Sequence, residues 1–380
     1  MTTRPSTVIV GASIAGITTA ESLRRAGYDG AITVVGAEPH RPYHRPPLSK
    51  QVLTGQWAPA DATITTAADG VDLVLGVRAT GLDTGRRVLL TTDGELPYDS
   101  LVIATGVSAR RPAVAGVHTL RTVDDAAALT AALDGASRAL VIGAGILGAE
   151  IAAGLSKRGL AVTLTGRHRE LRFGTIGPLL SPRLVRLHRA NGVRLRLGVD
   201  AVELRRDGTV LSDGSEPAAD VVVTATGCRP NVGWLAGSAV RIDDGVVCDT
   251  AGRAAPDVYA VGDVARWAPA PRVEHQQHAI EQAHAVATTI VTGRPPMHDI
   301  VPFYWSELHG TRIQVYGRLD GANALAVVDG DVAGGRFVAL ATRDGAPVGV
   351  VGWNLPRAFR EARARLAPIP ADLGERQLVP

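Results

Sequence analysis

One local event is written twice in this chain. Near the start, the apolar run Ser6-Thr7-Val8-Ile9-Val10 enters Gly11-Ala12-Ser13-Ile14-Ala15-Gly16, then a helical pattern to about Arg25, then a second apolar run, Ala31-Ile32-Thr33-Val34-Val35. The order recurs from Arg138: Arg138-Ala139-Leu140-Val141-Ile142, then Gly143-Ala144-Gly145-Ile146-Leu147-Gly148, a helical pattern to about Arg158, and Ala161-Val162-Thr163-Leu164. The first glycine of such a spacing permits a tight strand-to-helix turn. The middle one lets the backbone approach a pyrophosphate, and the third lets the helix pack on the strand. Free N–H groups and the positive dipole end of the helix then face the phosphates. A single copy is weak evidence. Two copies, each between strand and helix patterns, commit the chain to α/β architecture with two dinucleotide sites. Gly11, Gly16, Gly143, Gly145 and Gly148 are the expected contacts, with Ser13 in the middle place of the first copy, its hydroxyl available to a phosphate.

Two dinucleotides in one chain suggest a flavin and a nicotinamide. Further apolar runs fit strands of the same units: Leu101 to Gly106 and Val221 to Gly227 both end in Ala-Thr-Gly, placing Thr105, Gly106 and Gly227 near cofactors. Another, Asp257 to Asp263, is expected to end in an exposed acid. The 380 residues allow two or three domains. No apolar run is long enough for a membrane span, and the run at 7–10 leads straight into a glycine motif, so a cytoplasmic protein is expected. The two cysteines, Cys228 and Cys248, form no close pair, which argues against metal sites and a redox dithiol. The net charge is +3 and its positive part is almost wholly arginine, since Lys50 and Lys157 are the only lysines. No nucleic-acid recognition motif is present.

Several stretches together carry a resemblance: Arg45-Pro46-Pro47-Leu48-Ser49-Lys50, the GAGILGAE run from Gly143, YAVGDVARW from Tyr259, the Glu274-His275 to Glu281-Gln282 run, and Val301-Pro302-Phe303-Tyr304-Trp305-Ser306. From about residue 5 to 355 the chain resembles the FAD-dependent ferredoxin reductases of the putidaredoxin- and rhodocoxin-reductase type, which serve bacterial cytochrome P450 and dioxygenase systems. The resemblance implies two Rossmann-like dinucleotide-binding domains of glutathione-reductase-like form plus a small C-terminal α+β domain. The FAD domain would comprise 1–110 and 229–298, the NAD(P)H domain 111–228, and the C-terminal domain 299–380. It also implies hydride transfer from NAD(P)H to FAD, then single-electron transfer to a [2Fe–2S] ferredoxin.

The same resemblance implies residue roles. Lys50 would lie beside the flavin, paired with Glu150, where a buried cation favours reduced, anionic flavin and a carboxylate offsets its desolvation. Asp263 would hydrogen-bond the ribityl chain, or cap a helix following it. Arg45 and Arg121 would reach the FAD, and Ala15, Ala79 and Gln276 would touch it largely through backbone. Trp305 would pack near the ring or belong to the core. Glu38 is the acceptor for the adenine-side ribose, or points into solvent.

Gly166 aligns where NAD-using relatives carry a glutamate, and Arg167-His168-Arg169 comes directly after it. That exchange removes repulsion of a 2′-phosphate and offers charge-assisted bonds to it, so NADPH is expected over NADH, with Arg167 and Arg169 as contacts. The alternative is an exposed basic turn without a ligand. For an acidic ferredoxin, the arginines between Pro356 and Arg365 make the favoured docking face; the run Arg183 to Arg189 suits an amphipathic helix. Two rival functions keep the same cofactors: direct action on a small molecule, with His275 and His278 as acid–base groups, and an apoptosis-inducing-factor-like role with weak turnover. A disulfide reductase needs a close cysteine pair.

Overall fold

The computed structural model describes residues 4–65, 70–174, 177–206, 208–296 and 300–366. The expected start of the C-terminal domain at Asp299 lies outside the described residues. The helices are α1 (Ile14–Arg25), α2 (Val123–Ala132), α3 (Ile146–Lys157), α4 (Gly177–Ala190), α5 (Gln276–Thr292) and α6 (Pro356–Arg365).

The first glycine turn sits at the centre of a six-stranded sheet. Its Ser6–Val10 strand pairs in parallel with Ala31–Gly36 on one side and Ser100–Ile103 on the other. Val8, Ile9 and Val10 are all buried, which explains why this strand reads as an unbroken apolar run instead of an alternating one. The Val258–Ala260 strand pairs in parallel with Ser100–Ile103, so the sheet is completed by residues far along the chain. Helix α5 then packs alongside α1, with His284 Nδ1 2.7 Å from Ser22 Oγ.

Between those two contributions the chain builds a second parallel sheet, in the order Arg194–Leu197, Ala161–Gly166, Arg138–Ile142, Val221–Thr224, Val117–His118. Entry and exit run side by side, because Val107–Ala109 pairs antiparallel with Cys228–Pro230. A third sheet comes last, five antiparallel strands from Phe303–Leu308 to Ala346–Trp353, with α6 laid on it through the buried Phe359. The architecture is α/β with two Rossmann-like units and a C-terminal antiparallel sheet. Among the described residues no helix is long and apolar enough to cross a membrane.

The two turns repeat each other in detail. Gly11 and Gly143 adopt φ of +124° and +118°, and each donates its N–H to the neighbouring strand, Val35 O at 2.7 Å and Thr165 O at 2.8 Å. A Cβ added at Gly16 would lie 1.9 Å from Gly11 O, and at Gly148 1.8 Å from Gly143 O. These third glycines therefore exist for helix–strand contact. Gly145 is different, since a Cβ there would meet nothing within 4 Å.

Helix α4 joins the second unit to the C-terminal sheet. The Arg183 guanidinium lies 5.1 Å from the Phe337 ring centroid, and His188 Nδ1 is 3.1 Å from His309 Nε2. His188 is fully buried; desolvation, then the neighbouring His309, push its pKa down to about 3.

Gly148→Ala should destabilise the protein by about 1–3 kcal/mol in denaturant unfolding, through overpacking, while Gly145→Ala changes stability little. The His188 contribution is present above its unfolded pKa near 6.5, because only the unfolded chain takes up that proton. It should be lost as pH falls from about 6.5 toward 3, at up to about 1.4 kcal/mol per pH unit. Melting curves of His188→Gln across this range should show a shallower acid dependence than the wild type.

Candidate active site

Both glycine turns open into one cavity of about 1590 Å³ that also touches the C-terminal sheet. Its lining includes Gly11, Ser13, Ala15, Glu38, Arg45, Lys50, Ala79, Thr105, Gly106 and Arg121 from the first part of the chain. Gly143, Gly145, Glu150, Arg167 and Gly227 of the second unit line it too, with Asp263, Gln276 and Trp305. Gly16 and Gly148 do not line it; they sit under the turns as packing contacts. Arg169 is also absent from the lining, its Cγ lying 3.0 Å from where a Cβ on Gly198 would stand.

The best-defined group is Glu150, on the second turn of α3 and 7% exposed. Its carboxylate takes the Lys50 ammonium at 2.8 Å and accepts from Ser49 Oγ at 2.5 Å and from Ser306 Oγ at 2.6 Å. The three donors come from the Pro46–Ser49 turn with its C-cap, and from the Phe303–Leu308 edge strand. A buried carboxylate saturated in this way is held in one orientation. Sequence reasoning does not single out Ser49 and Ser306, although both lie inside the stretches that carry the resemblance. Trp305 is not core: it is 36% exposed, and its ring centroid lies 5.3 Å from Lys50 Nζ and 5.1 Å from the Arg312 guanidinium.

A second network runs along the first unit. Arg45 Nη2 pairs with Glu38 Oε1 at 2.7 Å, and Tyr43 donates its hydroxyl to Glu38 Oε2 at 2.5 Å. Tyr43 in turn accepts the Val123 N–H, and Arg45 Nη1 donates to Arg121 O at 2.7 Å. Glu38 thus faces the cavity rim rather than open solvent. Arg121 Nη2 pairs with Asp263 Oδ2 at 2.6 Å. Asp263 corrects two expectations. Its side chain is only 16% exposed, and it sits inside the single turn Gly262–Val264 instead of capping a helix, since α5 starts only at Gln276. The Gln282 side chain holds that turn by accepting the Gly262 N–H at 2.8 Å.

These features suit two dinucleotides. Helices α1 and α3 both start at the cavity with no acidic residue in the first turn. The Ser13 hydroxyl makes no capping bond and Gly145 leaves open space, so both turns can admit phosphate. Arg121 Nε is buried without a partner and borders the same cavity.

On the rim of the second unit, Arg167, His168 and Arg172 line the cavity with Glu170. Arg172 Nη1 is 3.2 Å from His168 Nε2, and its backbone N–H donates to Ala144 O at 2.8 Å. Sequence reasoning misses Arg172 because it lies past the basic triplet and reaches the rim only when the chain turns back onto the glycine loop.

The remaining candidates are quieter. His275 stacks on Tyr304 at 4.3 Å, and Tyr304 meets Phe173 at 5.7 Å, a ring contact that links the segment before α5, the C-terminal sheet and the second unit. Burial lowers the pKa of His275, and it lowers that of His278 to about 4, so both are neutral near pH 7. Cys228 donates its thiol to Glu274 Oε1 at 2.8 Å; burial first, then Glu274, raise its pKa to about 12, which leaves no thiolate for disulfide exchange. On α6, Arg363 is spent on ring stacking, 5.1 Å from Phe303 and 4.4 Å from Tyr316, while Arg357, paired with Glu361, Arg360 and Arg365 are all exposed. Among the described residues no cluster of potential metal ligands occurs.

Residues 5–283 match the model of the pyridine nucleotide-disulphide oxidoreductase family, and residues 303–371 match the reductase C-terminal model. The chain is 34% identical to the ferredoxin reductase component of chlorobenzene dioxygenase from Cupriavidus sp. (strain PS12), over 97% of this chain and 94% of that one. It is 36% identical to the ferredoxin–NAD(+) reductase component of the p-cumate 2,3-dioxygenase system of Pseudomonas putida, over 87% and 85%. Putidaredoxin reductase, solved as a covalent complex with putidaredoxin, superposes with a TM-score of 0.88 at 28% identity, over 96% of this chain and 93% of that one. With its paired nucleotide turns and appended antiparallel sheet, the chain belongs to the pyridine nucleotide-disulphide oxidoreductases, among the ferredoxin reductases that carry the reductase C-terminal domain.

Proposed function

We propose that this chain is an FAD-dependent NADPH:ferredoxin oxidoreductase supplying single electrons to a [2Fe–2S] ferredoxin of an oxygenase or cytochrome P450 system. The observation that carries the reading is one cavity lined by both glycine turns, with the Lys50–Glu150 pair in its wall. In this reading 1–110 and 229–298 form the FAD domain, 111–228 the NADPH domain and 299–380 the C-terminal domain.

FAD, when bound, supplies the step from a two-electron hydride donor to one-electron delivery. The protein's part is placement and electrostatics. Gly11, Ser13 and Ala15 receive the FAD pyrophosphate at the start of α1, and Glu38, fixed by Arg45 and Tyr43, accepts the ribose hydroxyls. Arg121, Asp263, Ala79, Thr105, Gly106 and backbone at Gln276 hold the rest. Gly143, Gly145 and Gly227 admit the nicotinamide nucleotide. Lys50 places a cation beside the ring system, and Glu150 keeps that cation in position. Glu150 is itself held by Ser49 and Ser306.

The NADPH preference rests on Gly166 and the basic rim. Gly166 stands where an acid would repel a 2′-phosphate, and Arg167, His168 and Arg172 beside it outnumber the one acid of that rim, Glu170; Arg169, turned toward Gly198, is left out of this role. Trp305, beside Lys50 on one hand and Arg312 on the other, lies where an acidic partner would meet the cavity wall.

The steady-state kcat/KM for NADPH should exceed that for NADH, and Arg172→Ala should reduce the ratio by about tenfold, consistent with loss of one charge-assisted contact. A wild-type preference for NADH would remove this part of the reading. Flavin-loaded enzyme should reduce a [2Fe–2S] ferredoxin from a panel under NADPH; turnover confined to organic acceptors would count against it. Lys50→Met should slow nucleotide-driven bleaching of the flavin band by about 100-fold with little change in nucleotide affinity. Glu150→Ala should in addition cost about 3–5 kcal/mol of stability, because it strands a buried ammonium.

A further inference from the structure

We infer that Asn231 is a positioning residue: it joins the two chain crossings between the nucleotide units into one stiff ribbon, and so fixes how the second glycine turn stands toward the first across the cavity. The inference rests on the two-cofactor reading above and deepens it. Val107–Ala109 leads out of the first unit, Cys228–Pro230 leads back, and the two pair antiparallel with Pro230 opposite Val107. Pro230 has no N–H, so it cannot extend the ladder toward the first unit. Asn231 takes over. Its N–H donates to Gly106 O at 3.0 Å, its Nδ2 donates to Thr105 O at 2.8 Å, and its Oδ1 accepts from Ser108 Oγ at 2.7 Å. Its carbonyl accepts from Thr105 Oγ1 at 2.9 Å and from Trp234 Nε1 at 3.2 Å.

Each crossing contains a glycine in the left-handed region, Gly106 at φ +62° and Gly227 at φ +100°, where the backbone is freest to swing. The Asn231 bonds fall on both sides of Gly106 and remove that freedom. Trp234, packed against the core of the first unit, anchors the ribbon at this end. At the other end the Arg110 N–H donates to Gly227 O at 3.0 Å and its Nε to Cys228 O at 3.2 Å. Elsewhere the units meet through side chains such as Lys50 and Glu150; here the covalent crossing itself is held. Thr105, Gly106, Gly227 and Asn231 all line the cavity, so the ribbon belongs to the wall that both glycine turns share. The position demands a donor and an acceptor on one short side chain. An aspartate of the same size would offer acceptors alone and set a carboxylate against Thr105 O. Alignment of the units matters because hydride transfer is steeply sensitive to placement, with a misplacement of about 1 Å costing up to about 100-fold in rate.

Asn231→Asp, Asn231→Ala and Ser108→Ala of the flavin-loaded enzyme test this by hydrogen exchange and by single-turnover reduction with the faster of NADPH and NADH. Ser108→Ala removes one exposed bond and keeps the test open should an Asn231 variant not fold. Exchange of the amides at 110 and 231 should quicken by about tenfold or more in both Asn231 variants, and by less in Ser108→Ala. In the Asn231 variants the limiting rate of flavin bleaching should fall by about tenfold, while the nucleotide concentration that half-saturates it changes by less than about twofold. Reduction by dithionite, which requires no alignment of the units, should keep its wild-type rate in all three. Unchanged exchange at 110 and 231 would overturn the inference. So would faster exchange with a wild-type limiting rate, or a rate and a half-saturation that worsen together, because Asn231 would then serve structure alone. Wild-type flavin that neither nucleotide bleaches would instead sink the two-cofactor reading, and faster exchange in the variants would still establish the clasp.

Discussion

A single buried carboxylate holds the site together. Glu150 sits on the helix that succeeds the second glycine turn, yet its partners arrive from two other parts of the chain. With Lys50, Ser49 and Ser306 all donating to it, the carboxylate is satisfied without water, and the ammonium it pairs with is fixed at the cavity wall. A buried ion pair of this kind is not strong evidence of stability, since dehydrating both charges offsets most of their attraction. Its contribution is geometric. The Pro46–Ser49 turn, α3 and the edge strand at Phe303–Leu308 must all be in place before the carboxylate has its full set of donors.

The two nucleotide units show how little is needed to divide one fold between two ligands. Their turns share the positive-φ first glycine, the bond to the adjacent strand and the close third glycine. They differ at the middle position, serine in one and glycine in the other, and past the strand end, where one has Glu38 held by Arg45 and Tyr43 and the other has Arg167, His168 and Arg172. The backbone is common, while the side chains just past the strand end differ, an Arg45-paired acid in the first unit and a mainly basic group with Glu170 in the second.

Around the cavity, burial suppresses chemistry that the residue types would otherwise permit. His275 and His278 are kept neutral, and Cys228 is kept as a thiol. The ring contact of His275, Tyr304 and Phe173 uses the imidazole as a packing surface. His275, Tyr304 and Cys228 serve as wall, beside the charged pair Lys50–Glu150.

The amino-acid sequence by itself determined the two strand–turn–helix units, because the demand for glycine at fixed spacing arises within a few residues of backbone. It also marked Lys50 and Glu150, through the short motifs that contain them. Only the tertiary structure decided the rest. Ser306 reaches Glu150 across 156 residues of chain and Tyr43 meets Val123 across 80, separations that leave no local pattern to read. Arg169 and Arg172 are indistinguishable as residue types, but the fold turns one toward Gly198 and ties the other to the glycine loop. Short-range geometry is encoded where it acts. Which distant side chains share a cavity depends on how the three largest sheets pack, and that emerges only when the whole chain is folded.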